Sequence, residues 1–244
     1  MSSKSYGQLY QDLIAIKFFR LYPALNNRFL DVGAFDGIGF SNVRLLFEQG
    51  WSGICVEPVM KNYQKLESLY QGTNVITIRA AVTDYEGELK LNVATIPWAQ
   101  DWGSDVSSSS SDVLKRWPDY NWETETVPAT TVNKILEKNN IAQVDFVSID
   151  VEGHEMAVLR GFNVQKYEPF LLVVEYSTTE QRNELILYME RQGYALWVDN
   201  GQDIFFVQKP ALKNWKVSIY GHCQQIRFSK PVQFIVRLVR QLGQ

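Results

Sequence analysis

The sequence predicts an α/β protein: a mostly parallel sheet with helices on both faces that finishes in an antiparallel pair. Three observations lead there. From Arg28 onward, short apolar runs alternate with segments of helical period, as in repeated βαβ units. Several runs (FLDV, DFVSI, FLLVVE) are almost continuously apolar, the pattern of strands covered on both faces. Near the end, Asn200-Gly201 joins two further apolar runs, and Asn-Gly is a strong signal for a two-residue hairpin.

Taken in order, Arg28–Val32 reads as the first strand and Ser41–Gln49 as a helix, with Gly50 just past its end. Gly53–Val56 is the second strand, followed by a helix over Met60–Gln71 and then Gly72. Val75–Ala80 is the third strand. Val132–Lys138 is helical, Asp145–Ile149 is the fourth strand, and Glu155–Leu159 is a helix preceding Gly161. Phe170–Glu175 is the fifth strand, backed by a helix over Glu180–Arg191 that ends before Gly193. A glycine in that position is expected to close its helix in the left-handed conformation. Tyr194–Asp199 and Gln202–Gln208 form the terminal hairpin.

Two stretches fall outside the alternation. Ala94–Thr131 holds four of the seven tryptophans around the run Ser107–Ser111. It reads as a long loop inserted after the third strand, either a lid or substrate wall or a solvent loop pinned by aromatics. Pro231–Leu242 is a helix candidate with Val232, Ile235, Val236 and Val239 on one face. That face can dock on its own domain, a second subunit or an anionic membrane surface. The expected organisation is one domain over 1–208, with the insertion near 94–131, and a basic extension over 209–244.

Composition bounds the function. The chain has 244 residues, 24 Lys and Arg against 27 Asp and Glu, and 45% hydrophobic residues, which is ordinary globular composition. The charge is divided unevenly: after Asp203 there are seven basic residues and no acidic one. Two cysteines (Cys55 and Cys223) do not make a disulfide framework. The N-terminus lacks a signal-peptide layout, and no apolar run reaches the length of a membrane span. A reduced, cytoplasmic protein is expected. Nucleic acid is not an expected partner, because the body is acidic and no basic groove with interleaved aromatics precedes Asp203.

In open parallel sheets, ligands bind beyond the carboxyl ends of the strands, where strand order reverses. The first strand ends in Asp31-Val32, with Asp31 at its tip, and runs into Gly33-Ala34-Phe35-Asp36-Gly37. The glycines let backbone approach a ligand, while a carboxylate at that tip repels pyrophosphate and suits a cation. Neither a P-loop lysine nor G-x-G-x-x-G is present. Glu57-Pro58 follows the second strand, 26 residues after Asp31, a spacing suited to an acid that accepts from ribose hydroxyls. The lesser alternative is an acid placed at the positive pole of the next helix. After the fourth strand comes Asp150-Val151-Glu152-Gly153-His154-Glu155. His154 is a candidate general base, with Asp150 and Glu152 to orient it, contact the ligand or bind Mg²⁺. The same acids also serve as first-turn helix residues. Glu175 ends the fifth strand in the same region.

The blocks FLDVGAFDGIGFSN, GWSGICVEP and VDFVSIDVEGHEMAVLRGF, with Tyr10-Gln11-Asp12 upstream, resemble the FkbM-type family of S-adenosylmethionine-dependent methyltransferases. The resemblance spans roughly Gly7 to Val207, with Phe35 where the family commonly has Asn. It implies a Rossmann-like class I methyltransferase sheet of seven strands, the last antiparallel. It implies cofactor contacts from Gly33, Ala34, Asp36 and Gly37 along the methionine part. Glu57 would stand at the ribose, residues near Ala80–Val82, Ala81 among them, at the adenine, and Asp12 and Asp31 at the ammonium or sulfonium end; Ser41, Pro58 and Asp150 complete the expected cofactor-binding set. Asp150 and Glu152 would face the transferred methyl group, beside His154 as the candidate base, and the acceptor would be a hydroxyl of a sugar, glycan or related product. No metal is assigned; Mg²⁺ is the less favoured version, for want of an obvious third ligand. The rival from another class is an inactive binding module that docks a partner through its basic tail.

Overall fold

The computed structural model describes residues 5–95, 107–108 and 121–229. Its central sheet has seven strands: β1 (Arg28–Val32), β2 (Ser52–Val56), β3 (Val75–Ile78), β8 (Phe146–Ile149), β9 (Leu171–Glu175), β10 (Tyr194–Asp199) and β11 (Asp203–Gln208). Their order is β10-β11-β9-β8-β1-β2-β3. β11 runs antiparallel to both β9 and β10, and the other pairings are parallel. Asn200 Oδ1 accepts from the Gln202 and Asp203 N–H groups to close the hairpin. The chain runs outward from β1 to β3 and then returns to β8 on the other side of β1, so the strand order reverses between β1 and β8.

Both faces of the sheet are buried, which is why its strands read as unbroken apolar runs. Leu30, Val32, Ile54, Val56, Val147 and Ile149 pack beneath three helices: α4 (Val132–Lys138), α5 (Glu155–Arg160) and α7 (Thr179–Arg191). On the other face, Phe29, Cys55, Phe146 and Phe205 pack against α1 (Gln11–Leu21), α2 (Arg44–Glu48), α3 (Met60–Tyr70) and α8 (Trp215–Phe228). A one-turn helix, α6 (Val164–Tyr167), precedes β9. Neither α1 nor α8 is among the sequence-predicted elements. Each draws its stability from an apolar face docked on the sheet, a tertiary effect that overrides a modest local pattern.

Three local expectations need correction. The helix read from Ser41 begins at Arg44, because the Ser41 hydroxyl accepts from the Val43 and Arg44 N–H groups and so precedes the first turn. The third strand, expected to reach Ala80, stops at Ile78, and Ala81–Val82 just beyond it forms β4 of a separate sheet ordered β4-β7-β5-β6, with β5 at Gly87–Thr95, β6 at Ser107–Ser108 and β7 at Asn121–Thr130. The end of the expected loop is thus a long strand paired from Gly87↔Ala129 to Thr95↔Asn121. Its alternation is mostly polar, which concealed it. Gly50, Gly72 and Gly193 are left-handed as expected, but Gly161 has φ of −79°. A Cβ there would stand 2.2 Å from the Thr83 carbonyl oxygen, so Gly161 provides close approach rather than a cap. Trp98, Trp102, Trp117 and the Pro231–Leu242 segment lie outside the described residues.

Candidate active site

Above the reversal point lies a cavity of about 240 Å³, where an open α/β sheet is expected to bind its ligand. The β1–α2 turn forms its floor. Gly33 and Ala34 donate to the Val56 carbonyl, and the Asp150 N–H donates to the Val32 carbonyl, at 3.0 Å each. Gly33 sits at φ +86°, with the Asp150 carbonyl oxygen where a Cβ would stand. Only glycine lets the two strand ends meet this closely.

Five carboxylates line the cavity: Asp31, Glu57, Asp150, Glu152 and Glu175; no Lys or Arg does among the described residues. Asp31, on β1, is pushed up to about 7 by burial, against the lowering effect of a hydrogen bond with Ser148. Ser148 also accepts from Asn42 Nδ2 at 3.1 Å. The Asn42 Oδ1, buried in the wall, has no hydrogen-bond partner. Glu57 accepts from the Phe35 N–H at 3.0 Å and the Val59 N–H at 2.9 Å, one on each oxygen. Burial pushes it to about 7 as well, despite those bonds.

Asp150, Glu152 and Glu175 bring one oxygen each within 4.8 Å of one another. Glu152 holds a left-handed backbone at φ +52°. Burial raises Asp150 well above the carboxylate range, and the Glu152 charge adds to this. Burial, then the Asp150 charge, pushes Glu175 up to about 12. Glu175 thus keeps a proton and shares it with Asp150, as one member of a crowded carboxyl pair must. Glu175 is also the third oxygen ligand that the sequence reading did not find for a cation.

His154 lines the cavity at the N-terminal end of α5. Its Nε2 lies 3.1 Å from the Thr83 hydroxyl, which is 3.3 Å from Asp84 Oδ1. Burial lowers the imidazole pKa, opposed by the Asp84 charge, so the ring is neutral at physiological pH. Glu155 does not face the ligand space: it accepts from the Gly153 and Val151 N–H groups and from Gln181, holding the turn that carries Glu152 and His154.

Of the sequence-predicted residues, Asp31, Gly33, Ala34, Ser41, Glu57, Pro58, Ala81, Asp150, Glu152 and His154 line one cavity. Asp12, Asp36 and Gly37 do not. Asp12 accepts from Ser5, the Tyr6 N–H and the Leu13 N–H, fastening the N-terminal turn. Asp36 Oδ1 accepts from the Ile38 and Gly39 N–H groups within its own turn. A Cβ on Gly37 would stand 2.8 Å from the Leu66 and Leu69 side chains, so the glycine serves close approach to α3. Sequence reasoning missed Gln8, Phe40, Asn42, Asn62 and Ser148. Ser148 left a signal, a lone hydroxyl inside an apolar strand; Gln8 left none. From the second sheet, Leu89, Leu91 and Ser107 complete the wall. The Ser108 hydroxyl donates to the Glu152 carbonyl at 2.6 Å and ties that sheet to the site.

Sheet order and cavity position define a Rossmann-like class I methyltransferase fold. The family model described as "Methyltransferase FkbM domain" matches residues 31–196. The chain belongs to that family, and so to the S-adenosylmethionine-dependent methyltransferases. Among solved structures it is similar to precorrin-6y C5,15-methyltransferase from Geobacter metallireducens, at 10% identity and a TM-score of 0.41 over 85% of this chain and 91% of that one. It is also similar to a putative O-methyltransferase from Klebsiella pneumoniae, at 12% identity and a TM-score of 0.42 over 85% and 84%. A third is Aeropyrum pernix fibrillarin with natively bound S-adenosyl-L-methionine, at 11% identity and a TM-score of 0.37 over 80% and 73%. No curated protein sequence matches significantly.

Proposed function

We propose that the cavity binds S-adenosylmethionine and that the protein methylates a hydroxyl of a sugar, glycan or related natural product. The observation that carries this reading is the lining of five carboxylates with no lysine or arginine among the described residues. Such a wall suits a cation and repels a phosphate. The donor set fits the cofactor. Glu57 oxygens, each holding one backbone N–H, keep lone pairs for paired ribose hydroxyls. The partnerless Asn42 Oδ1 and ionised Asp31 accept from an ammonium, and Pro58, Ala81 and Val82 offer an apolar wall to a base.

When bound, S-adenosylmethionine supplies an activated methyl group on a sulfonium. What remains for the chain is to hold a hydroxyl in place and remove its proton. Positioning is worth up to about 7–11 kcal/mol in the best intramolecular cases. His154, neutral and facing the cavity, takes the proton. Glu152 and Ser107 bond neighbouring hydroxyls of the acceptor, and the Asp150–Glu175 pair, with one proton between them, presents a single negative charge to the ligand.

A second version has its own observation: Glu175 completes a three-carboxylate cluster with Asp150 and Glu152. A divalent cation there would polarise the acceptor hydroxyl in place of a base. The deciding experiment is a thermal-shift titration with S-adenosylmethionine, S-adenosylhomocysteine and NAD, followed by methyl transfer to a panel of glycans with and without EDTA. The first two ligands should raise the melting temperature and NAD should not. Turnover abolished by EDTA selects the cation version. No shift with either cofactor form rejects the enzyme reading in favour of a binding module.

A further inference from the structure

The outer face of α8 is not explained by the cavity. Three large apolar side chains stand out from it: Trp215 is 66% exposed, Ile219 55% and Ile226 64%. At about 100° per residue, offsets of four and eleven place all three within a stripe roughly 40° wide. The opposite side carries Val217, Gly221 and Gln224, buried against the sheet. There the Trp197 indole donates to the Val217 carbonyl at 2.9 Å, and a Cβ on Gly221 would collide with its ring. The helix is therefore fixed in one rotation, with the stripe facing outward. Lys216 flanks it, its ammonium 5.7 Å from the Trp215 ring centroid. Lys213 precedes it, and exposed Lys17 of α1 reaches toward Tyr220. No acidic residue follows Asp203 in the sequence.

We propose that this face docks the protein on an anionic lipid surface, Trp215, Ile219 and Ile226 entering the headgroup boundary while the lysines meet lipid phosphates. An apolar stripe bordered by cations is the design of a helix lying in a membrane interface. Charge selects this occupant over a second copy of the chain, since a two-fold contact would set two basic ends against each other. A nucleic acid would meet the lysines but leave the aliphatic stripe in water. The inference does not depend on what the cavity binds.

The test is sedimentation of the full-length protein with phosphatidylcholine vesicles, with and without phosphatidylglycerol. Binding should require phosphatidylglycerol and weaken with salt. It should fall about tenfold or more in the triple variant Trp215→Ser/Ile219→Ser/Ile226→Ser, and likewise in Lys213→Glu/Lys216→Glu, which leaves the apolar stripe intact if the first variant folds poorly. Equal binding to both vesicle types, or no binding to either, overturns the proposal. So does undiminished binding of a folded triple variant. Light scattering that shows a dimer dissociated by the triple variant would assign the face to a second copy. Displacement of vesicle-bound protein by duplex RNA, unaffected by the triple variant, would assign it to nucleic acid.

Discussion

Asp31 and Glu57 lie in the cavity wall with ionisation near neutrality because burial disfavours their charged forms. A cationic ligand needs them ionised. Cofactor affinity should therefore weaken below about pH 7, by about tenfold per pH unit for each carboxylate that must lose a proton, as read by calorimetric titration. Asp31→Asn should raise the cofactor dissociation constant about tenfold or more at pH 8, since a charge-assisted bond is replaced by a neutral one. An unchanged constant would remove Asp31 from the site. His154→Ala should lower turnover by about 10²–10⁴-fold with cofactor affinity unchanged; retained turnover would reject it as the base. These residues were legible because each stands at or just past a strand end, and strand ends were easy to read. Asp36 and Gly37 share that neighbourhood in sequence, and Asp12 lies upstream on α1, yet none of the three lines the cavity. The two aspartates accept from nearby backbone donors, and Gly37 lets its turn approach α3 where a Cβ would collide, which neighbouring residue types do not reveal.

Among the elements, the second sheet matters most to the site, because it brings Leu89, Leu91 and Ser107 over the carboxylates. If that wall contacts the acceptor, Ser108→Ala, which removes the tie to Glu152, should raise the acceptor KM severalfold while leaving cofactor affinity unchanged. An unaltered KM would leave β6 without a role in acceptor binding. The helices behind the sheet obey simpler rules. Thr178 caps α7 by accepting from the Gln181 N–H at 3.1 Å, so Thr178→Ala should cost about 1 kcal/mol in denaturant unfolding. The parallel strands and α7 were readable from local patterning, since apolar runs and periodic faces are properties of a few consecutive residues. The pairing of β5 with β7 was not, because its partners lie up to 42 residues apart and its outward side chains are polar.

Over the whole molecule, burial of acids has a consequence for stability. Asp31, Glu57, Asp150, Glu155, Glu175 and Asp203 are all raised above the ordinary carboxylate range, each chiefly by burial. The folded protein then binds more protons than the unfolded chain, and its stability falls as pH rises through that window. His154, with a lowered value, acts oppositely but only below its ordinary value of 6.5. The melting temperature without cofactor should therefore decline from about pH 6.5 to 8, and S-adenosylmethionine should flatten the decline by compensating the charge. A melting temperature that rises over that range would contradict the buried-acid account.

By itself the sequence determined the alternation of strands and helices, the terminal hairpin, and which acids stand at the strand ends, because these depend on side-chain chemistry over short spans of chain. Only the tertiary structure decided that Glu175 joins Asp150 and Glu152 and that Asn42 and Ser148 back Asp31. It alone gave α1 and α8 their apolar seats and left Trp215, Ile219 and Ile226 outside. These are encounters between residues distant along the chain, and the packing of the sheet, rather than any local preference, brings them within reach of one another.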